Sequence, residues 1–430
     1  MKEVVFLVGS YYPKYSATGK CIGNIADEMA KSNSIRVVSW ATCLDEVENS
    51  KCFYNKQTIF RTYNILHYFH LKSLHLKQSR NPIKQYLGSM IFNLCRLWRL
   101  IFMLNNDSSV NKAVLEAYKK SLADIDEHID VIIPTCLSFE TVLAAVEYKK
   151  NNPQVKIIPI VFDKFADNAS LARGERSKQH KFARNLELEE EMFEKSEAVL
   201  YVANWREHIK KYFPQYLHKT VEIEHPLLLP YALNEEHKDV FDNRSINIVY
   251  AGSITKRDRN PAAIICLLEK LYIDDILVHF FSLGNAKYMI DNASRKHPQL
   301  FKSHGYISHN RLVDVLNSAD ILLSIGSIAE QVSAKVFEYI SYGKPIIHFA
   351  YSEGDPVISV LEKYSLGKIV KVSECSSESK KEEVRDFIME NYTKRIAYEE
   401  VLDNFENATP EYTVAIIENI IRSGVSCENK

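Results

Sequence analysis

Between Glu48 and Asp107 the 430-residue sequence has no acidic residue, although the same span holds nine Lys or Arg and ten aromatic residues. Other absences narrow the class. No run of eighteen uncharged apolar residues occurs, so no ordinary membrane-spanning helix is expected. After Met1-Lys2-Glu3 there is no extended apolar region ending in small residues, and a secretory leader is not expected. The formal net charge is only -1, so no global field draws the chain to nucleic acid. Eight cysteines stand at 21, 43, 52, 95, 136, 266, 375 and 427, without a CxxC pair or metal-ligand rhythm. They read as reduced thiols in a cytoplasmic protein, with no structural disulfide and no metal.

What is present fits a soluble α/β protein. Hydrophobic residues make up 46% and charged residues 25%, the balance of a globular chain. At this length one compact core is too few, and two halves fit best. Val4 to Val8, Ile35 to Trp40, Asp130 to Pro134 and Val155 to Phe162 are apolar runs separated by helical patterns, the order of a doubly wound sheet. Strands at Ala198 to Val202 and Val221 to Ile223 complete the first half. Tyr231 to Asn243 is polar and without periodicity and reads as a linker. A second half begins with the strands Ile246 to Tyr250 and Ile276 to Ser282.

The most informative stretch is Asn317 to Ile347. Ala319 to Ser324 reads as a strand buried on both faces, Gly326 as a turn, about Val332 onward as a helix, and Gly343 as its stop before Lys344-Pro345 and another strand. In a parallel sheet the loop after a strand's carboxyl end is the usual ligand crevice. Glu330, Ser333, Lys335 and Glu338 would stand there, where helix N–H groups favour an anion and a carboxylate suits a ribose diol.

Glu330, seven residues, then Glu338, followed by Tyr-Ile-Ser-Tyr-Gly-Lys-Pro-Ile-Ile, resembles the donor-site signature of glycosyltransferase family 4. Ser333-Ala334-Lys335 before Phe337-Glu338-Tyr339 is similar to bacterial capsule and O-antigen transferases. The resemblance implies the GT-B fold, two Rossmann-like doubly wound domains facing across a cleft, and a retaining reaction. It implies that Glu338 holds the nucleotide ribose and that Glu330 contacts the transferred sugar. Many members have Gly after the first Glu; this chain has Gln331. The implied division is 1–232 for the acceptor side, 244–405 for the nucleotide-sugar side, and 409–425 as a helix returning to the first domain.

The resemblance extends to three further loops. Gly252-Ser253 ends a strand and is followed by Lys256, Arg257 and Arg259, where the family binds the diphosphate; Gly permits close approach and Arg can bind two phosphate oxygens. Lys256 and Arg259, with Glu330, are the catalytic candidates, and which of the three cations acts is open. Gly305 to His309 matches the loop that holds the nucleobase near Ile307. Gly19 matches a donor-phosphate glycine of the first domain, or is a turn glycine. Ser16 to Lys20 is no P-loop, because the first glycine is missing and Cys21 stands where Ser or Thr is needed.

Asp163, at the end of a strand, is an acceptor-site candidate. Asp124-Ile125-Asp126 lies at the amino end of its strand and reads as a solvated loop rather than a metal site. Tyr86 to Leu104 reads as one helix, apolar except for a stripe at Gln85, Ser89, Asn93, Arg96 and Arg99. With Lys72, Lys77, Arg80 and Lys84 before it, that helix either packs in the first domain or rests on an anionic membrane at the inner face.

The expectation is a transferase that moves a sugar from a nucleotide diphosphate sugar to a glycan or lipid-linked acceptor with retention, in cell-surface polysaccharide synthesis, without a cofactor or metal. The alternatives are an inverting GT-B transferase or a sugar-nucleotide epimerase. A third is a non-catalytic partner subunit.

Overall fold

The structure, a computed structural model, describes every residue except 14, 106, 126–127, 137, 169–170, 172–173, 232–239, 242–243, 328–333 and 424–430. Most of the expected linker, together with Asp126, Glu330, Gln331 and Ser333, lies outside the described residues. The chain forms two compact units, Met1–Pro226 with Pro410–Lys430, and Leu227–Thr409.

The first unit is built on β1 (Glu3–Val8), β2 (Ser34–Trp40), β3 (Lys51–Tyr54), β4 (Gln57–Thr62), β5 (Val131–Cys136), β6 (Lys156–Ile157), β7 (Ile160–Val161), β8 (Val199–Tyr201) and β9 (Thr220–Glu222). Their order is β3-β4-β2-β1-β5-β7-β8-β9, with β6 also paired to β5. All pairs are parallel except β3 with β4. Val4 through Val8 are fully buried, as a central parallel strand covered on both faces must be. Pro159 has no N–H for the ladder and stands between β6 and β7, where the sequence predicts a single strand. The edge hairpin β3–β4 was not expected from sequence. It turns on Asn55 and Lys56, both left-handed at φ 44° and 62°, as a two-residue hairpin turn requires.

The C-terminal helix Pro410–Ser423 packs on the Ala17–Met29 helix of this unit. Ser32 donates to Glu418 at 2.9 Å, and Lys156 Nζ donates to the Ile421 carbonyl at 2.7 Å. Helices Ile65–Lys77 and Pro82–Asn105 form a hairpin. A Cβ on Gly88 would lie 2.8 Å from the Ser73 carbonyl, so glycine sets how closely these helices approach. The longer helix is packed along one edge only. Ile83 and Tyr86 are each 77% exposed and Trp98 55%, which is not the all-round burial that its apolar composition suggests.

The second unit carries β10 (Ile246–Ser253), β11 (Ile276–Leu283), β12 (Phe301–Ser303), β13 (Ile321–Ile325), β14 (Ile346–Ala350) and β15 (Gly367–Lys371). The order is β12-β11-β10-β13-β14-β15, every pair parallel. This is the doubly wound order 3-2-1-4-5-6, whose direction reverses between β10 and β13. Both units are therefore Rossmann-like.

The helix Lys335–Ile340 is shorter than predicted, and the chain reaches Gly343 at φ 63°. A Cβ there would lie 2.1 Å from the Ile396 carbonyl, so both conformation and space demand glycine. The next residue, Lys344, is buried and donates to the carbonyls of Leu316 at 3.0 Å, Ala319 at 2.5 Å and Asn317. Its ammonium neutralises the negative end of the His309–Ser318 helix. The Lys of Gly-Lys-Pro is thus a helix-end cation. The seven described cysteines are free.

Candidate functional site

In the second unit the carboxyl end of β10 gathers most of the predicted donor residues. Gly252 and Ser253 are its last two residues. A Cβ on Gly252 would lie 2.8 Å from the Tyr250 hydroxyl, which itself donates to the Ser253 carbonyl at 2.8 Å. The following loop is closed by Thr255, whose Oγ1 accepts from the N–H of Asp258 at 3.0 Å and of Arg259 at 3.2 Å. That closure turns Arg259 back over the strand end, with its guanidinium 3.4 Å from Ser253 Oγ. Lys256 goes elsewhere. Its ammonium stands 4.9 Å from the Tyr288 ring centre. Arg257 is exposed and has no partner among the described residues.

From the other side of the switch point, Lys335 Nζ donates to the Ala251 carbonyl at 2.7 Å. An ammonium has three donors, so hydrogens remain for a ligand. Burial pulls the Lys335 pKa below the usual lysine value; Glu338 opposes that shift and Arg259 adds to it. Glu338 is buried and makes no hydrogen bond to the described residues. Isolated burial of a carboxylate is costly, and Lys335 supplies the compensating charge. Ile307 lies half-buried in the loop after β12, which bends at Gly305 with φ 78°. The structure therefore brings Gly252, Ser253, Arg259, Lys335 and Glu338 to one place and leaves Lys256 and Arg257 apart. Glu330 and Ser333 belong to the undescribed segment.

Sequence reasoning missed Tyr339. Its hydroxyl accepts from the Ala251 N–H at 3.1 Å and lies 3.3 Å from the Ala251 carbonyl, fixing the helix against the strand end. Also missed was a buried chain in which His348 lies 3.0 Å from Ser324 Oγ and 3.0 Å from Asp355 Oδ2. Asp355 Oδ2 is where a Cβ on Gly326 would fall, 2.0 Å away. The turn after β13 therefore rests on this chain and needs glycine.

In the first unit, Gly19 sits in the first turn of its helix, not in a loop. Its N–H donates to Ser16 Oγ at 3.0 Å, and a Cβ would lie 2.0 Å from the Ser10 carbonyl. Asp163 follows β7, and burial raises its carboxyl pKa. A cavity of about 490 Å³ opens one strand over, at the carboxyl ends of β1, β2 and β5. Trp40, His67, Arg99, Phe139 and Glu140 are among its walls, and Asp163 is not. Phe139 stacks on Phe165 at 4.1 Å between ring centres. Glu140 accepts from the Asn111 N–H at 2.7 Å and from the Ser138 hydroxyl. His67 Nε2 lies 2.7 Å from the Ala41 carbonyl, and burial lowers its pKa to about 4, so it is a neutral donor.

No protein-family model matches the sequence, and no curated protein does. Solved structures do match. Sucrose-phosphate synthase from Thermosynechococcus elongatus is similar with a TM-score of 0.57 at 10% identity, over 98% of each chain. A glycosyltransferase from Rickettsia africae gives 0.57 at 14% identity, over 99% of this chain and 100% of that one. The E. coli trehalose-6-phosphate protein bound with UDP-2-fluoro glucose gives 0.59 at 12%, over 97% and 99%. The chain has the GT-B fold. At such identities the likeness is one of fold, and what the GT-B scaffold does here is argued from its side chains.

Proposed function

We propose that this protein is a retaining glycosyltransferase that moves a sugar from a nucleotide diphosphate sugar to an acceptor hydroxyl in cell-surface polysaccharide synthesis. The observation that carries this reading is the convergence of Arg259 and Lys335 on the Gly252-Ser253 end of strand β10, with the carboxylate of Glu338 one helical turn beyond. Two fixed cations beside a closely approachable backbone suit a diphosphate, and a carboxylate without a hydrogen-bond partner among the described residues suits the ribose diol. The bound UDP-2-fluoro glucose of the E. coli neighbour agrees with a nucleotide-sugar donor.

In the reaction the bond from the anomeric carbon to the diphosphate oxygen breaks and a bond to the acceptor oxygen forms. The acceptor proton passes to the departing diphosphate oxygen on the same face. Negative charge grows on the diphosphate as the bond breaks, so Arg259 and Lys335 bind the transition state more tightly than the ground state. His225, His279 and His348 are buried, which suits a reaction that needs no histidine base.

The helical hairpin Ile65–Lys77 and Pro82–Asn105 supplies a place for membrane contact. Among the described residues no helix is long and apolar enough to cross a membrane. An exposed apolar face set in a stretch rich in basic residues and free of acidic ones suits peripheral binding to an anionic inner-leaflet surface.

The test is a thermal-shift panel of sugar nucleotides, followed by proton NMR of the first product made with the donor that binds. A ligand at one hundred times its dissociation constant stabilises by about 2.7 kcal/mol. The anomeric coupling is expected to match that of the donor. A product of opposite configuration would overturn retention, and a panel without any shift would overturn the donor assignment.

A further inference from the structure

The long helix of the first unit, Pro82–Asn105, packs along one edge, where Gly88 and Cys95 are buried beside Ile65–Lys77. Round the helix from that contact, Ile83, Leu87, Met90, Leu94, Leu97 and Ile101 succeed one another by alternating steps of four and three residues, and each is at least 42% exposed. This is the seven-residue repeat of a helix that packs along another helix. Such a strict stripe is narrower than the apolar sector a helix turns toward a globular core.

The surface relief agrees with the repeat. A groove of about 350 Å³ runs along the stripe, walled by Tyr86, Ser89, Met90, Asn93, Leu94 and Leu97. These residues make two successive sets spaced i, i+3, i+4 and i+7, each the four-residue hole that receives one side chain of a facing helix. With Tyr86 and Trp98 beside it, the stripe leaves roughly 900 Å² uncovered, against about 300–600 Å² for the largest apolar patch of an ordinary monomer and about 800 Å² given up by each partner of a stable interface. Of the positions flanking the stripe only Lys84 is charged; Arg96 and Arg99 lie round the helix from it. A second copy therefore meets no like-charge pair along the seam.

We propose that this face is a dimer interface, in which two copies of the chain pair their Pro82–Asn105 helices antiparallel about a two-fold axis at the level of residue 92. Each layer then joins an a position to a d position: Leu94 meets the partner's Met90, Leu97 the partner's Leu87, and Ile101 the partner's Ile83. Lys84 falls beside the partner's Trp98, a cation against an indole ring. The basic residues around the hairpin turn, Lys77, Arg80 and Lys84, stand at opposite ends of the pair. Parallel pairing brings them side by side and aligns the two helix dipoles head to head, so it is disfavoured. The proposal is independent of the reaction. The membrane contact proposed above draws on the same apolar face, so a second copy and a bilayer compete for it.

The test is sedimentation equilibrium of the full chain at micromolar concentration, with Leu94→Glu, Leu94→Lys and Met90→Lys, and Phe53→Glu as an exposed apolar control outside the helix. Expected is a wild-type dimer, weakened about tenfold or more by L94E and by M90K and unchanged by F53E. Mixing L94E with M90K should restore the dimer, because the new charges face each other only in the antiparallel register. Restoration also shows that both variants fold. A monomeric wild type, or a dimer indifferent to L94E, would overturn the proposal. So would rescue of L94E by L94K and not by M90K, the signature of parallel helices. A monomeric wild type that floats with phosphatidylglycerol vesicles, while L94E does not, would overturn pairing and give the face to lipid.

Discussion

Glu338→Gln separates a ligand-binding carboxylate from a structural one. The substitution keeps the shape and removes the charge. Glu338 is buried and makes no hydrogen bond to the described residues, so no bond to any of them is lost. Two stability effects oppose each other: burial of the charge is relieved, and the attraction of Lys335 is lost. Their sum should stay within about 1 kcal/mol, a typical surface-mutation scale rather than a core one. Nucleotide binding should behave differently. Losing a charged hydrogen-bond acceptor costs about 1.5 to 3 kcal/mol, or about 10- to 150-fold in dissociation constant. Lys335 adds a second signature. Its pKa is lowered by burial and held up by Glu338, so E338Q lowers it further. The alkaline limb of nucleotide binding should move to lower pH in the variant. Calorimetry with UDP, GDP and ADP between pH 7 and 10, with a melting curve of each protein, reads both effects. Unchanged affinity with an unchanged melting point would remove Glu338 from the site, and a large fall in melting point would make it structural.

Among the three loop cations, Arg259→Gln should weaken nucleoside diphosphate binding about tenfold or more, whereas Lys256→Gln and Arg257→Gln should each change it less than about threefold. Equal effects of the three in calorimetry would show a diffuse basic loop instead of a clamp. Changing Lys72, Lys77, Arg80 and Lys84 together to Gln should abolish flotation with phosphatidylglycerol vesicles, since surface attraction is about 1 kcal/mol per basic residue. Flotation equal to that of the wild type would refute electrostatic docking. His67, His225 and His279 are each held by burial at a pKa of about 4, below the ordinary value of 6.5. The unfolded chain therefore binds more protons between these values; the stability they contribute is complete above pH 6.5 and is lost as pH falls toward 4. At pH 5 each should have cost about 2 kcal/mol, and a melting point flat from pH 7.5 to pH 5 would refute neutral burial.

The parts of the fold legible in the sequence are those where burial alone decides. Val4 to Val8 and Ile321 to Ile325 are fully covered strands, and continuous apolar runs announce them. The β3–β4 hairpin escaped because its edge strand alternates exposed and half-buried residues, with Phe53 outward, and its turn uses Asn-Lys in place of a glycine signal. Gly343 was read correctly as a helix stop, but Lys344 beside it was not read as a cap. The carbonyls it serves lie 25 to 28 residues earlier, and only the packing of β13 beside β14 brings them near.

The candidate sites divide along the same line. Gly252, Ser253, Lys335 and Glu338 were legible because each stands at a fixed step from a strand end, and strand ends are readable. That Arg259, and not Lys256 or Arg257, turns back over the strand end was not, since it depends on Thr255 accepting two backbone N–H groups and reversing the loop, a geometry that residue spacing does not encode. The first-unit cavity was less legible still. Its walls come from positions as far apart as Ser10, Trp40, His67, Arg99 and Glu140. Asp163 and Glu140 both follow strands, and the sequence offered no sign that Glu140 is the one that lines this cavity; Ser138 and the Asn111 N–H hold its carboxylate at the wall. Arg99 was visible only as one member of a polar stripe. A helical stripe states which residues share a face, and the packing of the hairpin decides what that face meets.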